Sequence, residues 1–485
     1  MTTDINSLLK TFRRFGVNLG LERIKRLLAD LGNPHHYVPI IHVAGTNGKG
    51  SVCAYLSSIL TEAGYRVGRY TSPHLIDWTE RICLNQQPIA TEALYSLLIQ
   101  VKGAIPENCE NYPTQFEVIT AAAWLYFAQQ QVDIAVMEVG LGGRLDATNV
   151  CNHPLVSVIT SLSREHWQRL GPTLADISRE KAGILKPGCP AVIGPLPPEA
   201  KEVITSRIEQ LGCPAIWVEP AQEIKLPTSN LNNNQELSPR WASYQSYPMA
   251  STAPKNAGED HISQIPLVKN HQFDSPYPPL SKGKPYNPNS PKLINYPLPL
   301  LGQIQLTNSA IAIATIQVLR SQGWEITEEK IVSGMAKTTW LGRLQWTSWQ
   351  NHPLLIDGAH NTAAAQALRQ YIDTLNTPVT WLMGILSTKD HGDIFKALLR
   401  PKDSLHLVPV PDHSYAAPET LAAIAHQTCS QLSYCRTYEN LETGLNCVID
   451  NDTPKTKEKL IVLCGSLYLV GYFLRLRQKR TTKRD

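Results

Sequence analysis

The sequence predicts an α/β fold in which a mostly parallel sheet is covered by helices on both faces. From residue 40 to about 195, apolar strand-like runs alternate with helix-like runs, which is the pattern of consecutive βαβ units. A glycine-rich segment, Gly45–Ser51, separates the first strand-like run from the helix-like run that follows it. After residue 338, strand-like and helix-like runs alternate again. We therefore expect an α/β domain with a phosphate-binding loop, followed by a smaller α/β domain.

The first predicted domain covers residues 1–337. Its strand-like runs include IIHVAG, VDIAVMEVG and LVSVITS, and its helix-like runs include SVCAYLSSILTEAG, FEVITAAAWLYFAQQ and LADISREKAGIL. Ligands of parallel sheets bind beyond the carboxyl ends of the strands. The glycine-rich segment, Glu138–Gly143 and His166 each follow the end of such a run, so we expect them to lie together.

The segment Gly45–Ser51 predicts a phosphate-binding loop, although its spacing is unusual. The standard motif has four residues between its glycines, whereas two separate Gly45 from Gly48, and Gly50 stands between Lys49 and Ser51. Glycines let backbone N–H groups converge on an anion at a helix N-terminus. Lys49 would neutralise the outer phosphates of a nucleoside triphosphate. A glycine-rich turn that has a lysine by chance is the alternative.

Glu138 is a candidate ligand for Mg²⁺. It ends an apolar run and would face the phosphate-binding loop, and Mg²⁺ at a triphosphate site usually takes one or two carboxylates. A helix cap or a salt bridge would explain this glutamate equally well.

Residues 226–298 differ in composition from the rest of the chain. Proline, asparagine and serine dominate, and no apolar period persists. Such a segment buries too little surface to offset its ordering entropy. We expect a largely disordered insertion, either a tolerated surface loop or a partner-binding arm.

The chain after the insertion predicts two helices and then a second domain. An amphipathic helix pattern covers residues 300–324, a second covers 326–338, and a domain boundary falls near residue 338. In the second domain, residues 338–485, the runs at 354–372 and 379–390 read as strand, loop, helix and strand. The apolar run 460–476 is interrupted by glycine and short for a membrane span, so we interpret it as a buried strand, turn and helix.

Composition and charge indicate a cytoplasmic protein rather than a nucleic-acid or membrane protein. The net charge is only +4, from 45 basic and 41 acidic residues. The ten cysteines lack a regular framework, which is typical of reduced thiols. The N-terminus has no apolar signal-peptide core. We expect a monomer that binds neither nucleic acid nor membrane.

Several motifs in this order resemble the folylpolyglutamate synthase and dihydrofolate synthase family, whose members are relatives of the Mur ligases. They are HVAGTNGKGS, YTSPHL, ERI, MEVGLGGRLDATN, EHWQRLGPTLADISREKAGIL, LLGQIQLTN, LGR, IDGAHN and GSLYLVG. The resemblance covers nearly the whole chain except the insertion and the last residues. It implies a Mur ligase-like fold with an ATP-binding domain first.

The resemblance implies an ATP-dependent ligase that adds L-glutamate to a pterin or folate carboxylate through an acyl phosphate. The substrates would be 7,8-dihydropteroate or tetrahydrofolate, with ATP and Mg²⁺, and we expect both glutamate-adding activities. Folylpolyglutamate synthase activity alone is the first alternative. Another Mur-type amide ligase or a non-catalytic nucleotide-binding regulator is the second.

The resemblance also assigns roles to individual residues. ATP phosphates would contact Gly45, Thr46, Asn47, Gly48, Lys49, Gly50 and Ser51, and the rest of the nucleotide would contact Asn308, Arg343 and Asp357. Mg²⁺, bound as two ions, would be held by Ser72, Glu138 and His166, with Lys181 carbamylated by CO₂ as a further ligand. His360 would contact glutamate or the acyl phosphate, and the pterin pocket would comprise Phe116, Glu117, Leu145, Asp146 and Ala147.

Several of these residues also have a purely structural interpretation. His166 and Phe116 could be core residues, Lys181 a surface lysine, and Asp357 only a helix cap. The chain also departs from the common family pattern at five positions. His, Pro, Glu, Asp and Asp are replaced by Ile304, Leu341, Gln345, Thr388 and Glu165, respectively.

Overall fold

A computed structural model of the protein describes residues 4–12, 18–108, 111–225, 240–245, 293–450 and 460–481. The described residues form three sheets of eight, three and six strands. The strands of the first sheet are β1 (Ile40–Ala44), β2 (Val67–Tyr70), β3 (Ile82–Leu84), β4 (Gln87–Pro88), β5 (Ile134–Glu138), β6 (Val156–Ile159), β7 (Ala191–Ile193) and β8 (Ala215–Trp217). The helices around it are α1 (Ile5–Lys10), α2 (Glu22–Asp30), α3 (Lys49–Glu62), α4 (Thr91–Gly103), α5 (Gln115–Gln129), α6 (Trp167–Leu170), α7 (Leu174–Ala182), α8 (Pro198–Leu211), α9 (Ile304–Ser321) and α10 (Glu328–Lys337).

The first sheet has the strand order β4-β3-β2-β5-β1-β6-β7-β8. The six strands from β2 to β8 pair in parallel, and β3 and β4 add an antiparallel edge. The carboxyl ends of β1, β2, β5 and β6 therefore meet at one edge of the sheet. The predicted strands and helices of this region are confirmed, with boundaries that differ by a few residues.

Three apolar cores cover the faces of the first sheet. One contains α3, α9 and α10, a second contains α1, α2, α4 and α5, and a third contains α8. Helix α9 was predicted to be amphipathic, and this is wrong, because nearly all of its residues from Gln305 to Leu319 are buried. Helix α9 is enclosed because the first sheet covers one side of it, while α3 and the three-stranded sheet cover other sides.

The three-stranded sheet corrects the prediction for residues 226–298. Its strands are β9 (Gln222–Ile224), β10 (Trp241–Gln245) and β11 (Leu293–Pro297), all antiparallel. Ile294 and Tyr296 alternate with more exposed neighbours and enter the core, and the Tyr296 hydroxyl lies 2.8 Å from Ser309 Oγ. The predicted disorder is therefore wrong for β10 and β11. The rest of that prediction, at 226–239 and 246–292, falls outside the described residues.

The third sheet belongs to the C-terminal part of the chain and has the order β12-β13-β17-β14-β15-β16. Its strands are β12 (Gln345–Trp349), β13 (His352–Ile356), β14 (Val379–Met383), β15 (Ser404–Leu407), β16 (Tyr434–Thr437) and β17 (Leu460–Cys464). Its helices are α11 (Thr362–Asp373), α12 (His391–Leu398), α13 (Pro418–Thr428), α14 (Leu441–Asp450) and α15 (Leu467–Thr481). Only β12 is antiparallel to its neighbour.

The apolar run 460–476 forms a strand, a turn and a helix, as predicted. Strand β17 lies inside the third sheet, and α15 packs beside it. Along the described parts of the chain, no helix is both long and apolar enough to cross a membrane. Helix α10 ends at residue 337 and the third sheet begins at residue 345, on either side of the predicted domain boundary, which stays a prediction.

Candidate active site

The phosphate-binding loop joins the end of β1 to the start of α3. Gly45 has φ +147°, and a Cβ there would lie 2.0 Å from Thr160 Oγ1, so only glycine fits. The residues after β6 fix the loop, because Thr160 Oγ1 donates to Asn47 O at 2.6 Å and Thr46 N donates to Ser161 O at 2.6 Å. The loop thus keeps one shape beside the N-terminus of α3, where backbone N–H groups attract anions.

Two lysines share one carbonyl oxygen of this loop. Lys49 Nζ donates to Gly45 O at 3.1 Å and to Thr46 O at 3.2 Å, and Lys181 Nζ donates to Gly45 O at 2.7 Å. Burial, and then the nearby charge of Lys49, lowers the pKa of Lys181 to about 7. The Lys181 amine is therefore available in its neutral, nucleophilic form near physiological pH.

Glu138 lies at the end of β5 next to the loop that follows β2. Its Oε2 accepts a hydrogen bond from Ser72 N at 3.0 Å, and its side chain is buried. Burial raises the pKa of Glu138, against the opposing charges of Lys49 and Arg343. A nearby cation would therefore favour the ionised carboxylate.

Few protein groups that can bind a metal meet at this centre. Within the described ranges, no group of three or more His, Cys, Asp or Glu side chains is arranged to hold a metal ion. His166 has φ +53° before α6, and partial burial lowers its pKa to about 4, so its imidazole is neutral and able to bind a metal. The predicted set of Ser72, Glu138 and His166 fits Mg²⁺ through Glu138 and Ser72. His166 is a softer ligand than this ion prefers.

Glu165, at one of the departures from the family pattern, links the two α/β parts of the chain. Its Oε1 lies 3.1 Å from His360 Nε2 and 2.9 Å from Lys389 Nζ. Burial alone would raise the pKa of Glu165, but the hydrogen bond from His360 and the charges of His360 and Lys389 hold it well below its usual range. The carboxylate therefore stays ionised between the two parts.

Of the predicted nucleotide residues, Asn308 lies against the phosphate-binding loop, and Arg343 and Asp357 lie near each other in the C-terminal part of the chain. A Cβ on Gly48 would lie 2.4 Å from Asn308 Oδ1, which places that amide against the loop. Asp357 accepts hydrogen bonds from Leu344 N at 2.8 Å and Ala359 N at 2.7 Å, and the charge of Arg343 opposes the rise of its pKa that burial causes. Asp357 is not the cap of α11, because Asn361 has that position.

The five predicted pterin-pocket residues line one cavity of about 690 Å³: Phe116, Glu117, Leu145, Asp146 and Ala147. His166, His360 and Lys389 line it too, so it opens on the interdomain contact. Its size is within the usual range for small-molecule sites. One ring edge of Phe116 lies against Gly140, where a Cβ would be 2.3 Å from the ring.

Glu117 shows how this cavity could recognise a polar heterocycle. Its Oε2 accepts hydrogen bonds from Arg23 Nε at 3.0 Å and from Thr114 N at 2.7 Å. Its Oε1 is buried and has no hydrogen-bond partner. Since buried acceptors are costly to leave unpaired, this oxygen is suited to the N–H group of a bound ligand.

Sequence reasoning missed three residues of this site. Arg23 contacts Glu117 across 94 positions, Lys389 contacts Glu165 across 224, and Asn361 exchanges hydrogen bonds with Asn47 at 3.1 and 3.3 Å. No local pattern identifies such distant partners. Two of the three had a signal, since Lys389 follows the altered position Thr388 and Asn361 ends the IDGAHN motif.

Comparisons with known proteins agree with this architecture. Residues 43–194 match the family model for the Mur ligase middle domain, and residues 342–476 match that for the dihydrofolate synthetase C-terminal domain. Among solved structures, the chain superposes on Mycobacterium tuberculosis folylpolyglutamate synthase complexed with ADP and AMPPCP, with a TM-score of 0.76, 27% identity and coverage of 97% and 98% of the two chains. It also superposes on Escherichia coli FolC in complex with DHPP and ADP, with a TM-score of 0.73, 27% identity and coverage of 98% and 97%.

Curated relatives match over almost their whole length. The chain is 33% identical to Lacticaseibacillus casei folylpolyglutamate synthase over 476 residues, which is 97% of each chain. It is 32% identical to the dihydrofolate synthase/folylpolyglutamate synthase of Bacillus subtilis, covering 94% of this chain and 95% of the relative. With the phosphate-binding loop, the two-part fold and these matches, the chain belongs to the folylpolyglutamate synthase/dihydrofolate synthase family.

Proposed function

We propose that this protein is an ATP-dependent ligase that joins the amino group of L-glutamate to the carboxylate of a pteroate or folate. The observation that supports it most is the position of the 690 Å³ cavity, which is lined by His166 and by Ser72, whose backbone N–H donates to Glu138. A flat heterocycle in this cavity would have its carboxylate near a nucleotide phosphate. Relatives whose names include this activity match the full length of the chain.

The proposed chemistry has two steps. A carboxylate oxygen of the pterin substrate attacks the terminal phosphorus of ATP, the P–O bond to ADP breaks, and an acyl phosphate forms. The glutamate amine then forms the C–N bond, loses a proton, and phosphate leaves with the electron pair of its C–O bond. Both steps bring anions together, so catalysis consists mainly of positioning and charge neutralisation.

The chain's own residues would neutralise this charge. Lys49 Nζ donates to carbonyl oxygens of its own loop. When a nucleotide binds, this amine would turn towards the outer phosphates. Arg343 lies close enough to oppose the pKa rise of both Glu138 and Asp357, so its guanidinium is near the same centre. Asn308 would orient the nucleotide against Gly48.

The metal part of the proposal is that Ser72, Glu138 and His166 hold Mg²⁺ and that carbamylated Lys181 contributes a further anionic ligand for a second ion. Mg²⁺ would polarise the transferred phosphoryl group and offset its charge. Glu138 supports this assignment, because its buried carboxylate has no Lys or Arg nitrogen within 4.0 Å among the described residues. The lowered pKa of Lys181 supports carbamate formation, since CO₂ reacts with the neutral amine.

The 690 Å³ cavity would bind the pterin and present its carboxylate. The Phe116 ring offers an apolar face, and the unpaired Glu117 Oε1 would accept an N–H of the heterocycle. His360, which lies between Gly358 O at 2.7 Å and Glu165 Oε1 at 3.1 Å, would contact glutamate or the acyl phosphate. We further propose a cytoplasmic monomer with both glutamate-adding activities.

One assay tests this function. The purified protein is incubated with ATP, Mg²⁺, L-glutamate and either dihydropteroate or tetrahydrofolate, and ADP release and the glutamylated product are both measured. We expect product with both acceptors. Product with tetrahydrofolate alone would limit the protein to folylpolyglutamate synthase, and no product with either acceptor would contradict the proposed function.

A further inference from the structure

A second cavity, of about 220 Å³, borders the same reaction centre. It shares Ser72 and Pro73 with the 690 Å³ cavity, and Glu138 also lines it. It extends to Arg69 of β2 and to Cys83 of β3. It is smaller than the roughly 300–1,000 Å³ of pockets that bind drug-sized molecules. We call it the Arg69 cavity.

Arg69 is a buried guanidinium without a carboxylate partner. It is 8% exposed, and no carboxylate oxygen lies within 4.0 Å of it among the residues that the structure describes. Its Nη1 lies 3.4 Å from Ser57 Oγ, its Nη2 lies 3.2 Å from Cys83 Sγ, and its Nε has no hydrogen-bond partner. These long contacts to neutral groups leave most of its donors and its whole charge uncompensated.

The other neighbours of Arg69 that the structure describes do not form an ion pair with its guanidinium. Its guanidinium carbon lies 5.2 Å from the ring centroid of Trp340, which borders the cavity and packs against Gly50 at the start of α3. Glu80 also lines the cavity, but its carboxylate accepts three backbone hydrogen bonds, from the N–H groups of residues 75 to 77 at 2.7 to 2.8 Å. Glu80 is therefore held by its own loop.

A second guanidinium, that of Arg343, lines the same cavity. Two arginines in one small, polar-lined space favour an oxyanion, because guanidinium donors match the oxygens of phosphate and carboxylate. An anion in the cavity would supply the negative counter-charge that the Arg69 guanidinium lacks. Glu138 borders it as well, so the anion would bind next to the place where the proposed reaction releases phosphate.

We propose that the Arg69 cavity binds the inorganic phosphate released by the reaction, before that phosphate leaves the protein. This inference rests on the proposed function. At that stage ADP would occupy the phosphate-binding loop and the glutamylated product would occupy the 690 Å³ cavity. The Arg69 cavity is a third space that meets the same residues, and the unpaired guanidinium of Arg69 would donate to the anion there.

Equilibrium binding of radiolabelled phosphate tests the proposal without turnover. The full-length protein is saturated with Mg²⁺ and ADP, so that the loop is occupied, and ionic strength is held constant with chloride. We expect phosphate to bind, and Arg69→Gln to weaken that binding at least about tenfold with unchanged ADP affinity, as for the loss of a charge-assisted contact. In the active enzyme, phosphate should inhibit the variant correspondingly less.

The control is Arg369→Gln, because Arg369 is also a largely buried arginine but is paired with Asp373 and Asp403 in the third-sheet region. It should leave phosphate binding unchanged. If Arg69→Gln does not fold, Cys83→Met places a longer side chain beside the guanidinium and should weaken phosphate binding in the same way.

Equal phosphate affinity in the wild type and the Arg69 variant, or no binding to either, overturns the proposal. Displacement of phosphate by a γ-linked glutamate peptide at similar concentration would instead assign the cavity to carboxylates of the product, and would also overturn it. Binding is measured without reaction, so the two proposals can fail separately. If phosphate binds through Arg69 but no product forms, the proposed function is wrong and the phosphate site is supported.

Discussion

At the scale of single residues, the two lysines on Gly45 O have different predicted tasks because their surroundings differ. Lys181 is fully enclosed and its pKa falls to about 7, whereas Lys49 begins a helix at the edge of the loop. The ammonium group of Lys49 is placed to follow the phosphates. The other can lose its proton and become a nucleophile for CO₂.

Replacing Lys49 by alanine should nearly abolish ADP formation. The substitution removes the positive charge closest to the outer phosphates, and losses of about 10²–10³-fold in kcat are typical when one such stabilising group is removed. The measurement is the steady-state rate of ADP release with saturating substrates. Lys102→Ala, at an exposed position of α4, is the control, and an unchanged rate for Lys49→Ala would exclude this lysine from the mechanism.

The activity should depend on CO₂ more strongly at pH 8 than at pH 6. With a pKa of about 7, roughly a tenth of Lys181 is neutral at pH 6 and about nine-tenths at pH 8, and only the neutral amine forms a carbamate. Rates are compared with and without dissolved CO₂ at a fixed concentration, in degassed buffers.

Lys181→Ala should be slow at both pH values, insensitive to CO₂, and partly restored by short carboxylic acids that replace the carbamate. Lys186→Ala removes another partly buried lysine and should keep the CO₂ response. A wild-type rate that ignores CO₂ at pH 8 would contradict the carbamate.

At the scale of secondary-structure elements, the strands and helices with strong periodicity were predictable, and the strands within a polar context were not. Strand β5 is a continuous apolar run that is buried at all five positions. Strand β11 follows a proline-rich segment, and only two of its residues are fully buried. Its structure depends on pairing with β10 and on contact with α9, which no local window of sequence contains.

Excising residues 246–292 should leave folding and activity nearly intact. Gln245 and Leu293 are direct partners in the antiparallel pair of β10 and β11, so their backbones are adjacent and an Asn-Gly turn can join them. The variant is measured for ADP release and thermal unfolding. We expect both to stay close to the wild type.

The matched control removes residues 230–295, which takes away β10 and part of β11. It should unfold at a lower temperature, since it removes Tyr244 and Ile294 from the core that also contains α9. A folded but inactive 246–292 deletion would show that this segment has a part in the reaction.

At the scale of the whole molecule, the sequence motifs identified which residues form the site but not how the two parts of the chain meet. Glu165 and Lys389 are 224 positions apart, and Asn47 and Asn361 are 314 apart. A sequence motif contains only residues that are neighbours along the chain. The contact between two motifs depends on how both sheets are oriented, which is a property of the complete fold.

At acidic pH, the stability of this interdomain contact depends on the ionisation of Glu165. Its pKa in the folded chain lies below the ordinary 4.5, because the His360 hydrogen bond and the charges of His360 and Lys389 outweigh burial. The unfolded chain therefore binds more protons in this range, so the stabilisation is present above about pH 4.5 and is lost as the pH falls below it.

Replacing Lys389 by methionine should loosen the contact between the two parts. Both side chains of the ion pair are largely buried, at 11% and 10% exposure, so removing the cation leaves Glu165 with His360 at 3.1 Å and the more distant His166 at 3.9 Å. We expect a loss of about 2 kcal/mol in unfolding free energy, less than for a fully broken buried pair. The interdomain motion should widen as well, which lowers kcat/KM by about tenfold.

Denaturant unfolding, small-angle scattering and steady-state kinetics measure these three effects. Lys396→Met is the control, because Lys396 is exposed on α12 of the same part and should leave all three unchanged. Since Lys389 bridges to Glu165 and not to the phosphate-binding loop, ADP affinity in Lys389→Met should fall only as far as it depends on the contact between the two parts. If stability and scattering match the wild type while kcat/KM falls, Lys389 acts on the substrate directly, and the interdomain interpretation is wrong.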